Sequence, residues 1–394
     1  MGTHALAGTP ASVPAFADRV FEHLPRADQR RWARAYLQGL LTTPGKKSVR
    51  RLAAAVSDSP TASQSLHQFV NASPWDWTPA REELTRWAEQ RIHPRAWTVD
   101  LAVLRKRGEH SCGVHRRFVP STGRSVTCQV GVGAFLATPE EAVPVDWRLL
   151  LPGTWAKDPE RRKRTRIPDG VGARSVEELV LDMADGLAGA SRTAPVPLVA
   201  DLGTSPGAGE LVRGLSQRNC DFLVAVPDSF RIVLGRHLRF QGRHGRSDHG
   251  MAFAARSLFQ FDTGLIRTET VPAENGGACR ATVMTSFVHL PAAAASGQQP
   301  LRTYQIFTVR SKGDRRPSPL WLTTLTRART EEKLALVRTL SRTAEAVRRM
   351  EEDFGLLDFE GRSYPGWHHH MTLVSAAYAY SRLGLPAGRL AVAA

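Results

Sequence analysis

The sequence predicts an α/β protein: a mixed sheet with helices, preceded by an all-helical N-terminal domain and carrying a β-rich insertion. Three observations point that way. Apolar residues recur at helical spacing up to about residue 92. From residue 93 to 227, short β-favouring runs alternate with helical patterns, the mark of a sheet covered by helices. Between 228 and 325 strand-like runs follow one another, and a long amphipathic pattern then opens the last segment, 326–394.

Composition narrows the function classes. The chain has 394 residues, of which 42% are hydrophobic, enough for a substantial core. Its net charge is +16, carried by Arg spread along most of the chain. That excess implies a polyanionic partner, and double-stranded DNA fits best. No apolar run approaches the length of a membrane span, and no leader pattern opens the chain, so a cytoplasmic, nucleoid-associated protein is expected. Cys112, Cys128, Cys220 and Cys279 lack the short paired spacing of zinc sites and read as reduced thiols.

In order along the chain, residues 1–14 are rich in Ala, Gly, Thr and Pro and form a lead. Helical spacing then appears in Phe16, Val20, Phe21 and Leu24; in Trp32, Tyr36, Leu37, Leu40 and Leu41; in Val49, Leu52 and Ala55; and in Leu66, Phe69 and Val70. Pro25, Thr43-Pro44-Gly45 and Asp58-Ser59-Pro60 separate these segments. The domain 1–92 carries Lys46, Lys47, Arg50 and Arg51 on its polar side, which makes it a DNA-binding candidate. Further candidate phosphate contacts are Arg105, Lys106 and Arg107, the run Arg161, Arg162, Lys163 and Arg164, continued to Arg166, and the Arg-rich stretch 231–246.

The stretch 95–104 reads as a buried strand with Asp100 in its middle. A carboxylate among apolar residues is costly unless it meets a partner or a metal ion. Runs at 113–119 and 125–137, joined by Pro120-Ser121-Thr122-Gly123, complete an expected three-strand antiparallel meander. A helix at 176–187, a strand at 198–201 ending on Asp201, a helix at 209–218 and a strand at 222–226 follow. Strand-strand-strand-helix-strand-helix-strand is the order of a ribonuclease H-like fold, in which the first and fourth strands are neighbours. That fold would bring Asp100 and Asp201 together, as two-metal phosphoryl transfer requires. Strands are expected at 251–261, 281–290, 303–309 and 320–325, then a helix over 330–353 stopped by Gly355, and a last helix from 368 to 383. His368-His369-His370 open that helix; three consecutive residues point in different directions, which argues against a metal cluster. The stretch 203–209 lacks the Lys-Ser/Thr ending of a phosphate loop and reads as a strand-to-helix turn.

Several short motifs occur in collinear order: Tyr36-Leu37-Gln38-Gly39-Leu40-Leu41, Ser73-Pro74-Trp75-Asp76, Val99-Asp100, Cys128-Gln129-Val130-Gly131-Val132, Leu151-Pro152 with Trp155, Asp158-Pro159-Glu160-Arg161, Ala200-Asp201, Gly355-Leu356, Phe359-Glu360-Gly361-Arg362-Ser363 and Gly366-Trp367-His368-His369-His370. With them the chain resembles the cut-and-paste DDE transposases of bacterial insertion sequences, in the branch with a β-strand insertion before the catalytic helix. The resemblance implies DNA transposition by two Asp and one Glu that bind two divalent cations, Mg²⁺ or Mn²⁺, with Asp100 and Asp201 in the first two places. It also implies action on double-stranded DNA, with a homodimer as the expected assembly.

The third place departs from the family. The signature Tyr-x2-Arg-x3-Glu-x6-Lys falls in strict register on Val337, Leu340, Ala344 and Glu351, none of which matches. Glu345, one position on and roughly 100° around the helix, is the candidate third carboxylate for catalysis and metal binding. The degraded signature leaves an alternative: a domesticated, catalytically impaired relative acting as a DNA-binding regulator. A metal-dependent nuclease that does not transpose is the third possibility.

Overall fold

The computed structural model describes residues 12–119, 123–203, 205–234, 241–242, 245–246, 252–260, 266–272, 278–291, 302–311 and 318–384. In chain order the elements are α1 (Val13–Val20), α2 (Ala27–Thr42), α3 (Val49–Val56), α4 (Ala62–Asn71), α5 (Thr78–Glu89), β1 (Ala96–Arg105), β2 (His115–Val119), β3 (Arg124–Ala137) and β4 (Ala142–Leu149). Next come α6 (Gly153–Lys157), α7 (Pro159–Thr165), α8 (Val176–Ala190), β5 (Leu198–Asp201), α9 (Ala208–Gln217), β6 (Phe222–Val226) and β7 (Arg231–Leu234). The insertion holds β8 (Gln241–Gly242), β9 (Gly245–Arg246), β10 (Phe253–Ala254), α10 (Ala255–Leu258), β11 (Ile266–Pro272), β12 (Ala278–His289), β13 (Tyr304–Ser311) and β14 (Leu320–Thr323). The chain closes with α11 (Thr330–Asp353) and α12 (Tyr364–Leu383). The α/β class is as expected. Much of 231–250, the turn 120–122 and the lead before residue 12 lie outside the described residues.

The chain forms two units, one of residues 1–195 with 341–394 and one of residues 196–340. In the first, β3 is the central strand. It pairs antiparallel with β1 from Ala96↔Ala137 to Arg105↔Cys128. Its other edge carries β4 opposite its second half and β2 opposite its first. The meander expected from 95–104, 113–119 and 125–137 is therefore corrected: β1 pairs with β3, β2 is a short extension on the far edge of β3, and the third long strand is β4. Sequence patterning missed β4 because Pro144 and Asp146 interrupt its apolar run. The structure accommodates Pro144 where the register shifts, at Ala134/Phe135, a bulge that spares the ladder the missing N–H.

Close packing explains the glycines of β3. A Cβ on Gly133 would lie 2.7 Å from the Trp147 ring, and one on Gly131 would lie 3.1 Å from Trp367. Both indoles are fully buried, so no side chain larger than hydrogen fits beneath them. α12 is buried on every side from Trp367 to Tyr378, packed against β4 and against α1, α2, α4 and α5. The N-terminal helices thus share a core with the first sheet through a helix from the far end of the chain.

In the second unit, β5 and β6 pair in parallel across α9, and β6 continues antiparallel into β14, β13 and β12. β7 and β11 pair with the other edge of β12. The insertion therefore extends the sheet that begins with β5 and β6. Within the segment 251–261, expected as a strand, the described residues 252–260 hold the two-residue β10 followed by the helical turn α10.

Candidate active site

Asp100 stands near the middle of β1, half-buried opposite Gly133, and its Oδ1 accepts the Leu101 N–H at 2.7 Å. Alternation along a strand puts Thr98 and Asp100 on one face. The fully buried Oγ1 atoms of Thr98 and Thr343 on α11 lie 2.6 Å apart, which fixes the helix face that covers β1. On that helix Thr343, Val347 and Glu351 follow at i, i+4 and i+8 and form one stripe. The Glu351 carboxyl is held above the usual carboxylate range, first by burial, then by the negative charges of Glu352 and Asp100. Glu351 is thus an electrostatic neighbour of Asp100 in the first unit.

Glu345 projects roughly 120° away from Glu351 around the helix. It accepts from Arg348 at 2.7 Å and from Arg349 at 2.6 Å, and these partners hold its carboxyl below the usual range. Ala344, in strict register with the family's acid, is exposed. The carboxylate one position beyond that register is committed to arginines of its own helix. The one that senses Asp100 occupies the register position of the family's lysine. A helix face cannot be assigned from a decayed signature; the Thr98–Thr343 contact is what assigns it here.

Asp201 ends β5 in the second unit, exposed, and its Oδ1 accepts the Gly203 N–H at 3.1 Å. That Asx turn closes the strand before α9. Among the described residues, no group of three or more His, Cys, Asp or Glu is placed to hold a metal ion.

The candidate DNA-contacting cations divide into two groups, with Arg161, half-buried and 3.3 Å from Asp158, between them. Lys46, Arg50, Arg51, Arg105, Arg107, Lys163 and Arg164 are exposed. Lys46 faces Glu360 at 3.9 Å, a surface pair of little energetic weight. Three others, Lys47 buried and Lys106 and Arg162 half-buried, have donors already engaged within the protein. Lys47 is 4% exposed; its ammonium donates to the Thr43 carbonyl at the end of α2, its backbone N–H donates to Asp358, and burial lowers its pKa. The Arg162 guanidinium donates to the carbonyls of Ala156, Val171 and Pro168, at 3.2, 2.7 and 2.6 Å, stapling the loop after α7. Lys106 donates to the Phe359 carbonyl at 2.8 Å, and burial takes its pKa down to about 8. The run 161–164 is part of α7, capped by Asp158, whose Oδ1 accepts the Arg161 N–H at 3.0 Å.

Sequence reasoning also missed a buried polar centre. Arg81, on α5, donates to Asp146 at 2.8 Å, to the Trp147 carbonyl at 2.6 Å, to Thr372 at 2.8 Å and to the His368 carbonyl at 3.1 Å. Burial pulls its pKa down to about 10, with Asp146 opposing. The three histidines answer to three different neighbourhoods, as their spacing argued. His368 stacks on Trp77 at 4.5 Å and His369 on Trp75 at 3.9 Å, while His370 Nδ1 lies 3.1 Å from the Tyr36 hydroxyl. No helix among the described residues is long and apolar enough to cross a membrane.

A family model described as "DDE superfamily endonuclease" matches residues 19–258, more than half of the chain. No curated protein matches. Among solved structures, one described as "Cryo-EM structure of piggyBac transposase synaptic complex with hairpin DNA (SNHP)" is similar at 11% identity and a TM-score of 0.37, over 98% of this chain and 81% of that one.

Proposed function

The chain belongs to the DDE superfamily endonucleases, and from that premise we propose that it cuts and joins double-stranded DNA, with Asp100, Glu351 and Asp201 as its acids. The observation that carries this reading is the placement of Glu351 on the face of α11 that covers β1, in line with Thr343, which meets Thr98 two residues before Asp100. Burial first, then the negative charges of Glu352 and Asp100, raise the Glu351 carboxyl, and a divalent cation would relieve such a site. Hard oxygen donors of this kind suit Mg²⁺ or Mn²⁺. When bound, such a cation supplies charge to polarise the scissile phosphodiester and to ease deprotonation of the attacking hydroxyl. The chain's own part is to hold the carboxylates on rigid elements: Asp100 on a strand paired along its whole length, Glu351 on a helix clamped by the Thr98–Thr343 contact. The exposed cations hold the phosphate backbone, and a homodimer is the assembly that would engage two DNA ends.

The test is nicking of supercoiled plasmid by the full chain with Mg²⁺ or Mn²⁺. Asp100→Ala, Asp201→Ala and Glu351→Ala should each abolish it, and Glu345→Ala should leave it intact. Loss in Glu345→Ala with activity retained in Glu351→Ala would overturn the assignment. A second reading, a DNA-binding relative that no longer cleaves, is favoured by one observation, the lack of a three-acid group among the described residues. It is the outcome if the unaltered chain binds duplex DNA and no divalent cation elicits nicking.

A further inference from the structure

The β2–β3 hairpin outruns the sheet that carries it. β1 ends at Arg105, opposite Cys128, and the Thr127 carbonyl takes the Lys106 N–H. From Val126 back to Arg124, β3 is paired with β2 alone, as Arg117↔Val126, Phe118↔Ser125 and Val119↔Arg124. The result is a two-stranded ribbon whose far end is exposed at Arg116, Phe118, Arg124 and Ser125.

Its side chains sort by alternation. Arg116 and Phe118 share one face with Ser125 and Thr127. Arg117 lies on the other face, where it and Arg105 are both close enough to Cys128 to pull against the burial that raises that thiol. Both faces of the ribbon are therefore cationic. Phe118 is 59% exposed, one of two large apolar side chains so placed among the described residues. It packs into no core, and it stands next to arginines in a strand. A single exposed apolar residue means little by itself; one set among cations on a protruding ribbon has the makeup of a groove-binding wedge.

We propose that this ribbon enters a groove of duplex DNA and places Phe118 against the faces of the bases, where it unstacks a base step. The inference rests on the proposed action on DNA and adds the element that distorts it. The shape agrees, since two-stranded ribbons enter grooves of duplex DNA, and apolar wedges act between base steps from the minor groove. Division of labour follows from the chemistry. Arg105, Arg116, Arg117 and Arg124 neutralise phosphates and set the salt dependence, while Phe118 neutralises none and acts through stacking.

The experiment measures the full chain on fluorescein-labelled duplexes across a salt series, and on a set of duplexes with 2-aminopurine at successive positions, whose emission rises on unstacking. Wild type should raise emission at one step. Phe118→Ala should bind about tenfold more weakly, lose the emission change and keep the salt slope of log K against log salt. Phe118→Trp should retain both affinity and emission. Arg116→Ala, Arg117→Ala and Arg124→Ala should each make the slope shallower by about 0.9. If Phe118→Ala matches wild type in affinity and emission, or the arginine variants leave the slope unchanged, the ribbon proposal falls while DNA binding stands. If wild type binds no duplex at any salt, the DNA reading falls and the ribbon proposal with it.

Discussion

Arg81 and Arg116 are the same residue type put to opposite uses. Arg81 sits 4% exposed between α5, β4 and α12, with its donors spent on Asp146, Thr372 and two backbone carbonyls. Arg116 stands exposed on a two-stranded ribbon. The first organises a core and the second offers charge to whatever approaches. The same contrast separates Lys47 from Lys46, adjacent in sequence, one buried against the end of α2 and the other in solvent. A charge count of +16 therefore overstates the surface available to a polyanion. What a cation does is set by whether its hydrogen bonds are already taken.

The largest expected effect breaks the buried side of this contrast. Arg81→Ala leaves Asp146 buried at 9% exposure with Arg148 as its remaining charged partner, and should cost about 3–5 kcal/mol in urea unfolding. Arg81→Met combined with Asp146→Leu should recover much of that loss, because no uncompensated charge remains. Were Arg81→Ala to unfold like wild type, the buried centre would not be structural.

The next effect comes from the histidines beside that centre. Burial holds His369 and His370 down at about 4, below the ordinary histidine value. A histidine with a lowered folded pKa contributes stability that is complete above the unfolded pKa of about 6.5 and is lost as pH falls toward 4. Each should remove on the order of 3 kcal/mol by pH 4. Denaturant midpoints measured from pH 7 to pH 4 should fall, and His369→Gln or His370→Gln should flatten the profile. A level profile for wild type would contradict the neutral, buried state.

Smaller effects sharpen the contrast between neighbours. Lys47→Ala should destabilise by about 1–3 kcal/mol with the DNA salt slope unchanged, since a charge-assisted buried hydrogen bond is lost. Lys46→Ala and Arg50→Ala should leave stability within about 0.5 kcal/mol and make the slope shallower by about 0.9 each. The reverse pattern would reassign the two lysines. The smallest expected shift is at Glu351. Its carboxyl is raised by burial and by nearby negative charge, so the folded state is penalised once the group ionises. Glu351→Gln should raise Tm on the order of 1 °C at neutral pH, with no gain at acid pH where wild type is already protonated. Glu345→Gln, which loses its pairs with Arg348 and Arg349, should not raise it.

The sequence by itself determined the α/β class, most helix and strand positions, the two aspartates at their strand positions and the basic character of the chain. These follow from local periodicity, turn residues and charge, which need no knowledge of what lies across space. Tertiary structure decided the rest. β4 was hidden because Pro144 and Asp146 break its pattern, and only the bulge against β3 and the bond from Arg81 make them tolerable. α12 carries three histidines on a buried helix, legible only once Trp75, Trp77 and Tyr36 are seen to meet them. The choice between Glu345 and Glu351 turned on helix rotation, which a decayed signature does not encode and a buried contact between Thr98 and Thr343 does. Likewise Lys47 and Lys46 look alike in one dimension, because partnering, unlike charge, is a property of three.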